Sequence, residues 1–236
     1  MSINAVRGRT RYPGTIDPRL LAPVLIPKAN LALWLAADSM TLADGALISS
    51  WQDISGNNNH ATQATDTSKP TFKTNILKGK PIIRFDGGDS LNLASAIGAS
   101  PCSIYFVLKP SQISAGTIIA GNAAGAFQIR FSSLGKIDLL KSGVAVFATS
   151  TTILSTTNYS FLTVTYSNPN YTFRLNGAAD GSGSSAQTMN GVNRIAINYD
   201  GGNYNGDIAE LIVYNAVLSD TDRDTVESYL KTKYGL

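Results

Sequence analysis

Cysteine and histidine are almost missing from this chain of 236 residues: each occurs once, as Cys102 and His60. A single cysteine cannot form an intrachain disulfide, so the fold must be stable without one. One cysteine and one histidine are also too few for an ordinary zinc or other transition-metal site. No basic run lies beside Cys102, and we therefore expect a small buried hydrophobic residue at the start of a strand.

Charged residues are also scarce, at 15% against a usual value of about 25%. No apolar run reaches the roughly 18 residues that a transmembrane helix needs, so we expect no membrane association. The first residues hold arginines followed by Pro and Gly where a signal peptide would have an apolar core, which predicts cytoplasmic synthesis. Gly, Ser, Thr and Asn take the place of the charges, as is typical of short strands joined by many turns.

Glutamate occurs only twice, as Glu210 and Glu227. Glycosidases that use paired carboxylates on one strand need the second acid two or four residues away, where the side chains face the same side. Glu210 has no such partner, and Glu227 falls in a predicted helix. The lone His60 cannot build a catalytic triad without a nucleophile elbow. The sequence therefore predicts that the protein is not an enzyme.

Residues 1–28 form a segment distinct from the rest of the chain. It contains five basic residues and one acid, a net charge of +4, so the remaining residues carry a net −1 of the overall +3. Its frequent prolines exclude a helix or a central strand, and we expect an extended arm. The arm would dock on a neighbouring surface through both its basic and its apolar side chains, with a flexible tail as the alternative. The predicted docking residues are Arg7, Arg9, Arg11, Arg19, Leu20, Leu21 and Leu25. Outside the arm, composition gives no reason to expect nucleic-acid binding.

Short alternating segments separated by Gly, Asn and Pro turns run through residues 29–236. Within 161–166, for example, odd and even residues differ in character, as in a half-buried strand. One helix is predicted at the C-terminus, with Ser219 as its N-cap and Gly235 as its stop. We therefore predict an all-β fold: a two-sheet antiparallel jelly-roll sandwich over 29–236, with an extended N-terminal arm and one C-terminal helix.

Two separated blocks resemble the laminin-G-like, concanavalin-A-like jelly-roll family. The first comprises WQDISGNNNH at 51–60 and PIIRFDGGDS at 81–90, and the second comprises GDIAELIVYN at 206–215 and YLKTKYGL at 229–236. The resemblance implies that strands near the two ends of the chain lie side by side in one sandwich. It also implies that Glu210 lies on a core strand and pairs or bonds at the end of that strand.

Two loops hold oxygen-bearing side chains that would suit calcium, which relatives in this family often bind at loop ends. Asp53 and Asn57 lie in the first loop, and Asp86 and Asp89 lie in the second. The alternative, which we favour, is that these residues form turns, because Asp and Asn beside Gly commonly bond to nearby backbone amides.

A third loop mixes aromatic and short polar side chains, as sugar-binding loops often do. A ring there would stack on a sugar, and the polar groups would bond to its hydroxyls. The candidate ligand-binding residues are Tyr199, Asp200, Asn203, Tyr204 and Asn205. The alternative is a Gly-rich hairpin whose tyrosines pack locally.

A single leaderless module with a proline-rich arm resembles a bacteriophage virion component, either a capsid decoration (cement) protein or a tail-associated adhesin. This hypothesis implies a place on the virion surface and attachment to other virion proteins or sister subunits through the arm. By analogy with other virion jelly rolls, it also implies a homo-oligomer such as a trimer. The alternative function is a carbohydrate-binding lectin that recognises a cell-surface glycan, and a glycan-active enzyme comes third.

Overall fold

The computed structural model describes residues 25–121, 126–141, 146–197 and 203–236. These residues form sixteen β-strands and one α-helix. In chain order they are β1 Leu31–Ala36, β2 Ser50–Trp51, β3 Ala61–Thr62, β4 Thr71–Leu77, β5 Lys80–Asp86, β6 Leu91–Ala99, β7 Cys102–Pro110, β8 Gly116–Ala120, β9 Phe127–Phe131, β10 Ile137–Lys141, β11 Val146–Thr149, β12 Ser160–Ser167, β13 Asn170–Leu175, β14 Ala178–Ser184, β15 Asn190–Ile195, β16 Asn205–Tyr214 and α1 Asp220–Tyr234.

The strands form two antiparallel sheets of eight strands each. Sheet A has the order β14-β13-β12-β7-β16-β5-β4, and β1 also pairs with β16. Sheet B has the order β11-β10-β9-β8-β15-β6-β3-β2. The late strand β16 lies between β7 on one side and β5 and β1 on the other. Strands from both ends of the chain therefore meet in one sheet, and the predicted jelly-roll sandwich is confirmed.

The strand β7 is apolar on both of its faces. Ile104 and Phe106 point into the core between the sheets, whereas Tyr105 and Val107 point to the opposite face of sheet A. Successive side chains of a strand alternate between its faces, so a continuous apolar run indicates that both faces are covered. The helix α1 supplies that second cover.

The helix α1 begins and ends as its sequence predicts. The Ser219 side chain accepts a hydrogen bond from the backbone of Asp222, and Gly235 adopts the left-handed conformation, with φ 66°. Val226 and Leu230 are buried against the same face of sheet A as Tyr105. The caps at Ser219 and Gly235 define the two ends of the helix, and its apolar face holds it on the sheet.

The last residues of the predicted arm pack on this face. Ile26 is buried in the cluster beneath α1, and the Tyr214 hydroxyl donates to the Pro27 carbonyl at 2.9 Å. The Lys28 ammonium lies 4.5 Å from the centroid of a Trp34 ring. Leu25 is 75% exposed. The other predicted docking residues lie in 1–24, outside the described residues, and the docking role and the boundary at residue 28 stay predictions.

Candidate functional site

Asp53 lies in the first candidate calcium loop, and each oxygen of its carboxylate accepts two hydrogen bonds. Oδ1 accepts from the backbone amides of Trp34 and Ser55, both at 2.9 Å. Oδ2 accepts from the Ser55 hydroxyl at 2.8 Å and from the Asn59 amide at 2.9 Å. A carboxylate has about four lone-pair sites, so none is left for a cation.

Other polar side chains of that loop also form hydrogen bonds within the fold. The Asn57 amide group donates to the Leu31 carbonyl at 2.7 Å, and His60 Nδ1 accepts from the Asp53 backbone amide at 3.0 Å. This bonding supports the turn that the sequence interpretation favoured, which ties β1 to sheet B, and the calcium role of Asp53 and Asn57 stays a prediction. In the described part of the chain, no group of three or more His, Cys, Asp or Glu side chains could hold a metal ion.

The second calcium loop and the sugar-binding loop, predicted as separate sites, lie side by side. The Asn203 side-chain amide donates to the Gly87 carbonyl at 2.8 Å, and the Asn205 amide donates to the Asp86 carbonyl at 2.9 Å. Asn205 also pairs with Asp86 in the ladder between β16 and β5. We call this end of the sandwich the rim and define it by residues 86–90, 111–115 and 203–205.

The two carboxylates of the rim differ in environment. Asp86 is exposed, and its Oδ1 accepts from the Gly88 amide at 2.7 Å. Asp89 is buried, and its Oδ2 accepts from the Asp86 amide at 3.0 Å. Burial, with a smaller contribution from the charge of Asp86, raises the pKa of Asp89 to about 6. This bonding supports turns at the rim, as the sequence interpretation favoured.

The sugar-stacking role predicted for Tyr204 is corrected by the structure. The Tyr204 side chain is only 1% exposed and belongs to the core between the sheets. Its ring cannot meet a ligand at the surface without unpacking the core. The local-packing alternative therefore holds for Tyr204, whereas Tyr199 and Asp200 lie outside the described residues.

Next to the rim, sheet A carries a set of polar side chains that the sequence interpretation missed. Asp207 is buried, and it pairs in the ladder with Arg84 of β5 and with Lys109 of β7. Arg84 donates Nε to Asp207 Oδ1 at 2.7 Å and Nη2 to Oδ2 at 3.0 Å. The Tyr159 hydroxyl donates to the same Oδ2 at 2.5 Å. We call Arg84, Lys109, Tyr159 and Asp207 the polar row.

The polar row and the rim share one surface. Asn205 and Asp207 are two residues apart on β16, so their side chains leave the same face of the sheet. Gly206 lies between them, and a Cβ there would come within 2.5 Å of the Lys109 carbonyl oxygen and of the Tyr204 hydroxyl. This close approach requires glycine and keeps the three strands in register at the row.

A cleft of about 510 Å³ opens beyond the polar row, between α1 and the turn that joins β13 to β14. At its base the Glu227 carboxylate accepts from Arg174 Nε at 2.8 Å, Arg174 Nη2 at 3.0 Å and the Thr163 hydroxyl at 2.8 Å. Phe161, two residues after Tyr159 in the chain, lines the cleft. The residues lining it are Phe161, Arg174, Asn176, Gly177, Ala178, Asp224, Glu227, Ser228 and Lys231.

The remaining residues with reactive side chains, Glu210 and Cys102, are buried and have partners within the fold. Glu210 is fully buried and accepts hydrogen bonds from Trp34, Tyr229, Lys233 and Tyr234. Cys102 is buried with its sulfur 3.4 Å from that of Met189, and burial raises its pKa to about 12. The bonding expected for Glu210 and the hydrophobic role expected for Cys102 are both confirmed, but Glu210 lies in the middle of β16 and not at its end. No helix in the described residues has the length and hydropathy needed to cross a bilayer.

This sandwich, with an open polar surface at one end, is a fold of the lectin-like class. The model of the laminin-G-type group within the concanavalin A-like lectin/glucanases superfamily matches residues 85–222. The chain therefore belongs to this superfamily. A comparison of its sequence with curated proteins found no match.

Solved structures with a similar fold include parts of several glycan-active proteins. Domain 4 of AbnA, an extracellular GH43 arabinanase from Geobacillus stearothermophilus in complex with arabinotriose, is 17% identical, with a TM-score of 0.63 over 84% of this chain and 98% of that domain. An arabinofuranosidase complexed with arabinofuranosyl-α-1,2-xylobiose is 15% identical, with a TM-score of 0.61 over 80% of this chain and 51% of that one. Trypanosoma rangeli sialidase, in complex with the inhibitor DANA, is 10% identical, with a TM-score of 0.61 over 90% and 34%. At these identities the likeness concerns the fold alone.

Proposed function

We propose that this protein is a carbohydrate-binding module that acts without catalysis, and that the rim and the polar row form its binding surface. The observation that carries the proposal is the polar row. Its guanidinium, ammonium and phenol groups are held in fixed positions by one buried carboxylate, and the rim amides and the cleft adjoin them. Fixed, half-exposed hydrogen-bonding groups lower the entropic cost of binding a hydroxyl-rich ligand.

Two further observations support the proposal. A structure of the same fold, domain 4 of AbnA, is described in complex with arabinotriose. Both glutamates of this chain are occupied, Glu210 by four donors and Glu227 by Arg174 and Thr163. A carboxylate bonded in this way is a poor general acid or base, because each proton transfer would break the bonds that hold it.

The test is a titration of the isotopically labelled full-length protein with oligosaccharides, including arabinotriose, followed by backbone amide NMR shifts. We expect saturable shifts in residues 84–89, 109–111, 159–161 and 203–207. Shifts confined to the outer face of sheet B, around Thr62 and Asn92, would move the site elsewhere. An array of neutral and acidic glycans that shows no binding would reject the proposal, and release of reducing ends would reject its non-catalytic part.

The virion hypothesis is a more specific interpretation of the sequence than glycan binding, and it remains a separate proposal. It depends on the basic, proline-rich composition of residues 1–28, and most of that segment lies outside the described residues. The expected homo-oligomer and the arm-mediated attachment depend on the same segment. A glycan-binding sandwich is compatible with an adhesin on a virion, so the two proposals can be tested independently.

A further inference from the structure

Two cations of the polar row converge on a single buried anion. Lys109 Nζ lies 3.6 Å from Asp207 Oδ2, the same oxygen that Arg84 Nη2 contacts at 3.0 Å. The Asp207 side chain is 1% exposed, whereas those of Lys109 and Arg84 are 22% and 42% exposed. The anion therefore lies beneath the sheet surface, and the two cations face solvent with a local charge of +1.

The Oδ2 oxygen of Asp207, which Lys109 approaches, has no hydrogen-bonding capacity left for its ammonium. Oδ2 accepts from Arg84 Nη2 and from the Tyr159 hydroxyl, which fill its two lone-pair sites. At 3.6 Å, Lys109 gains charge attraction from Oδ2 without a proper hydrogen bond. In the described parts of the chain, its ammonium has no hydrogen-bond acceptor.

Arg84 keeps donor capacity as well. It uses Nε and Nη2 on Asp207, and among the described residues Nη1 makes no hydrogen bond. Two acids on neighbouring segments, Asp44 and Asp86, have other partners. Asp44 contacts Lys73 Nζ at 2.8 Å and the Thr74 amide at 2.9 Å, and Asp86 accepts from the Gly88 amide.

Tyr159 keeps the Lys109 ammonium at the surface. Lys109 Nζ lies 5.1 Å from the centroid of the Tyr159 ring, a cation–π distance, while the Tyr159 hydroxyl is anchored on Asp207. A flexible lysine side chain held in this way loses little further entropy when it binds a ligand. The free donors of Lys109 and Arg84 thus form a preorganised site for an anionic oxygen group.

We propose that the glycan bound at the polar row is acidic, and that its carboxylate or sulfate group bridges Lys109 Nζ and Arg84 Nη1. This inference rests on the proposed function and narrows its ligand class. Hydrogen bonds that involve charged groups are stronger than neutral ones, so the acidic ligand gains roughly tenfold in affinity. Because the Lys109 side chain is partly exposed, the gain decreases as salt is added.

The test is isothermal titration of the full chain at low salt with three probes: trigalacturonate, its neutral methyl ester and a sulfated carrageenan oligosaccharide. We expect at least one acidic probe to bind about tenfold tighter than the ester, and the preferred one identifies carboxylate or sulfate as the group. Lys109→Met should abolish that preference, and Lys109→Arg should retain it. Lys141→Met, on sheet B, is the matched control and should bind as the wild type does.

The outcomes separate this inference from the proposed function. Equal binding of the ester and both acidic probes overturns the acidic preference and leaves glycan binding intact. An acidic preference that survives Lys109→Met places the anion elsewhere and also overturns the inference. Absence of binding to all three probes, together with a blank glycan array, rejects both. Unchanged melting temperatures for the Lys109 variants exclude misfolding as the cause of any loss.

Discussion

Three aspartates of this protein show that the hydrogen-bond donors and cations around a carboxylate determine its role in the structure. Asp53 is filled by four neutral donors and forms a turn, and Asp207 is held by a guanidinium and a phenol and organises the polar row. Asp89 is buried, and among the described residues it has one backbone amide donor and no cationic partner, so its charged form is disfavoured. The sequence shows the same residue type, often beside glycine, in all three places.

Asp89 makes the stability of the fold depend on pH. Its pKa is about 6 in the folded protein against an ordinary value of 3.8, so the folded state binds more protons between these values. Stability therefore falls as the pH rises from about 4 to about 6 and is level above that window. Asp89→Asn keeps an acceptor for the Asp86 amide without the charge. We expect the variant to melt above the wild type at pH 7, with a gap that closes towards pH 4.

Thermal melts of both proteins between pH 4 and pH 8 measure this gap. Asp86→Asn, at the same turn, should give a smaller change, because the charge of Asp86 contributes less than burial to the raised pKa of Asp89. A gap between wild type and Asp89→Asn that stays constant across the range would show that Asp89 does not titrate in it.

Tyr204 is a core residue, and its replacement should act on stability. Truncating a buried aromatic side chain costs about 3–5 kcal/mol, so Tyr204→Ala should lower the free energy of unfolding by that amount. Tyr204→Phe should cost far less, because the hydroxyl makes only a long contact, 3.4 Å, to the Asp207 carbonyl. Urea unfolding measures both. A fully stable Tyr204→Ala would contradict the buried placement.

At the scale of elements, a buried network holds α1 on sheet A. Glu210 of β16 accepts from Tyr229, Lys233 and Tyr234 of the helix, and from Trp34 of β1. Burial, then the Glu210 charge, raises the pKa of Tyr229 and Tyr234 well above the usual range, so both hydroxyls stay protonated donors. The block from 206 to 215 and the terminal helix thus belong to one structural unit.

Removing one member of this network should loosen the helix. Glu210→Ala leaves Lys233 and two tyrosine hydroxyls without their shared acceptor, and losing one partner of a buried ionic network costs about 3–5 kcal/mol. Tyr229→Phe removes two hydrogen bonds of the hydroxyl, one to Glu210 and one from Lys233, and should cost about 2 kcal/mol. Urea unfolding measures both, and hydrogen exchange shows whether the amides of α1 lose protection first. Equal losses in the two variants would refute a central role for Glu210.

Elements with strong local signals were predictable from the sequence, and weakly patterned strands were not. The α1 helix has a serine cap and a terminal glycine, and β7 and β16 are rich in branched and aromatic residues. The strand β14, with the sequence AADGSGS, reads as a loop because glycine and serine disfavour strands. Pairing with β13 supplies the stability that its own residues lack.

At the scale of the whole molecule, the candidate site was only partly predictable. The sequence indicated two of the three segments of the rim, 86–90 and 203–205, because glycine, aspartate and asparagine mark turns locally. It could not place those loops side by side, nor bring together Arg84, Lys109 and Tyr159, which are distant in the chain. Only the order of β5, β16, β7 and β12 across sheet A makes these residues neighbours. A site assembled by long-range strand pairing has no local pattern in the sequence from which it could be predicted.

The boundary between arm and body gives the last prediction. The sequence placed it after residue 28, but Ile26 is buried, Pro27 accepts from Tyr214, and Lys28 covers Trp34. Removing residues 1–24 should therefore leave the melting temperature and glycan binding unchanged. Removing residues 1–28 should lower the free energy of unfolding by about 2–4 kcal/mol, from one buried aliphatic side chain and one hydrogen bond.

Urea unfolding and sedimentation of the two truncated proteins separate folding from assembly. If the shorter truncation alone abolishes oligomers while the fold stays intact, the docking role lies in 1–24, where six of the seven predicted docking residues occur. Oligomers that persist in both truncations would refute the docking arm and leave the sandwich itself as the assembling surface. Equal stability of the two truncations would show that residues 25–28 contribute nothing to the body, against the burial of Ile26 beneath α1.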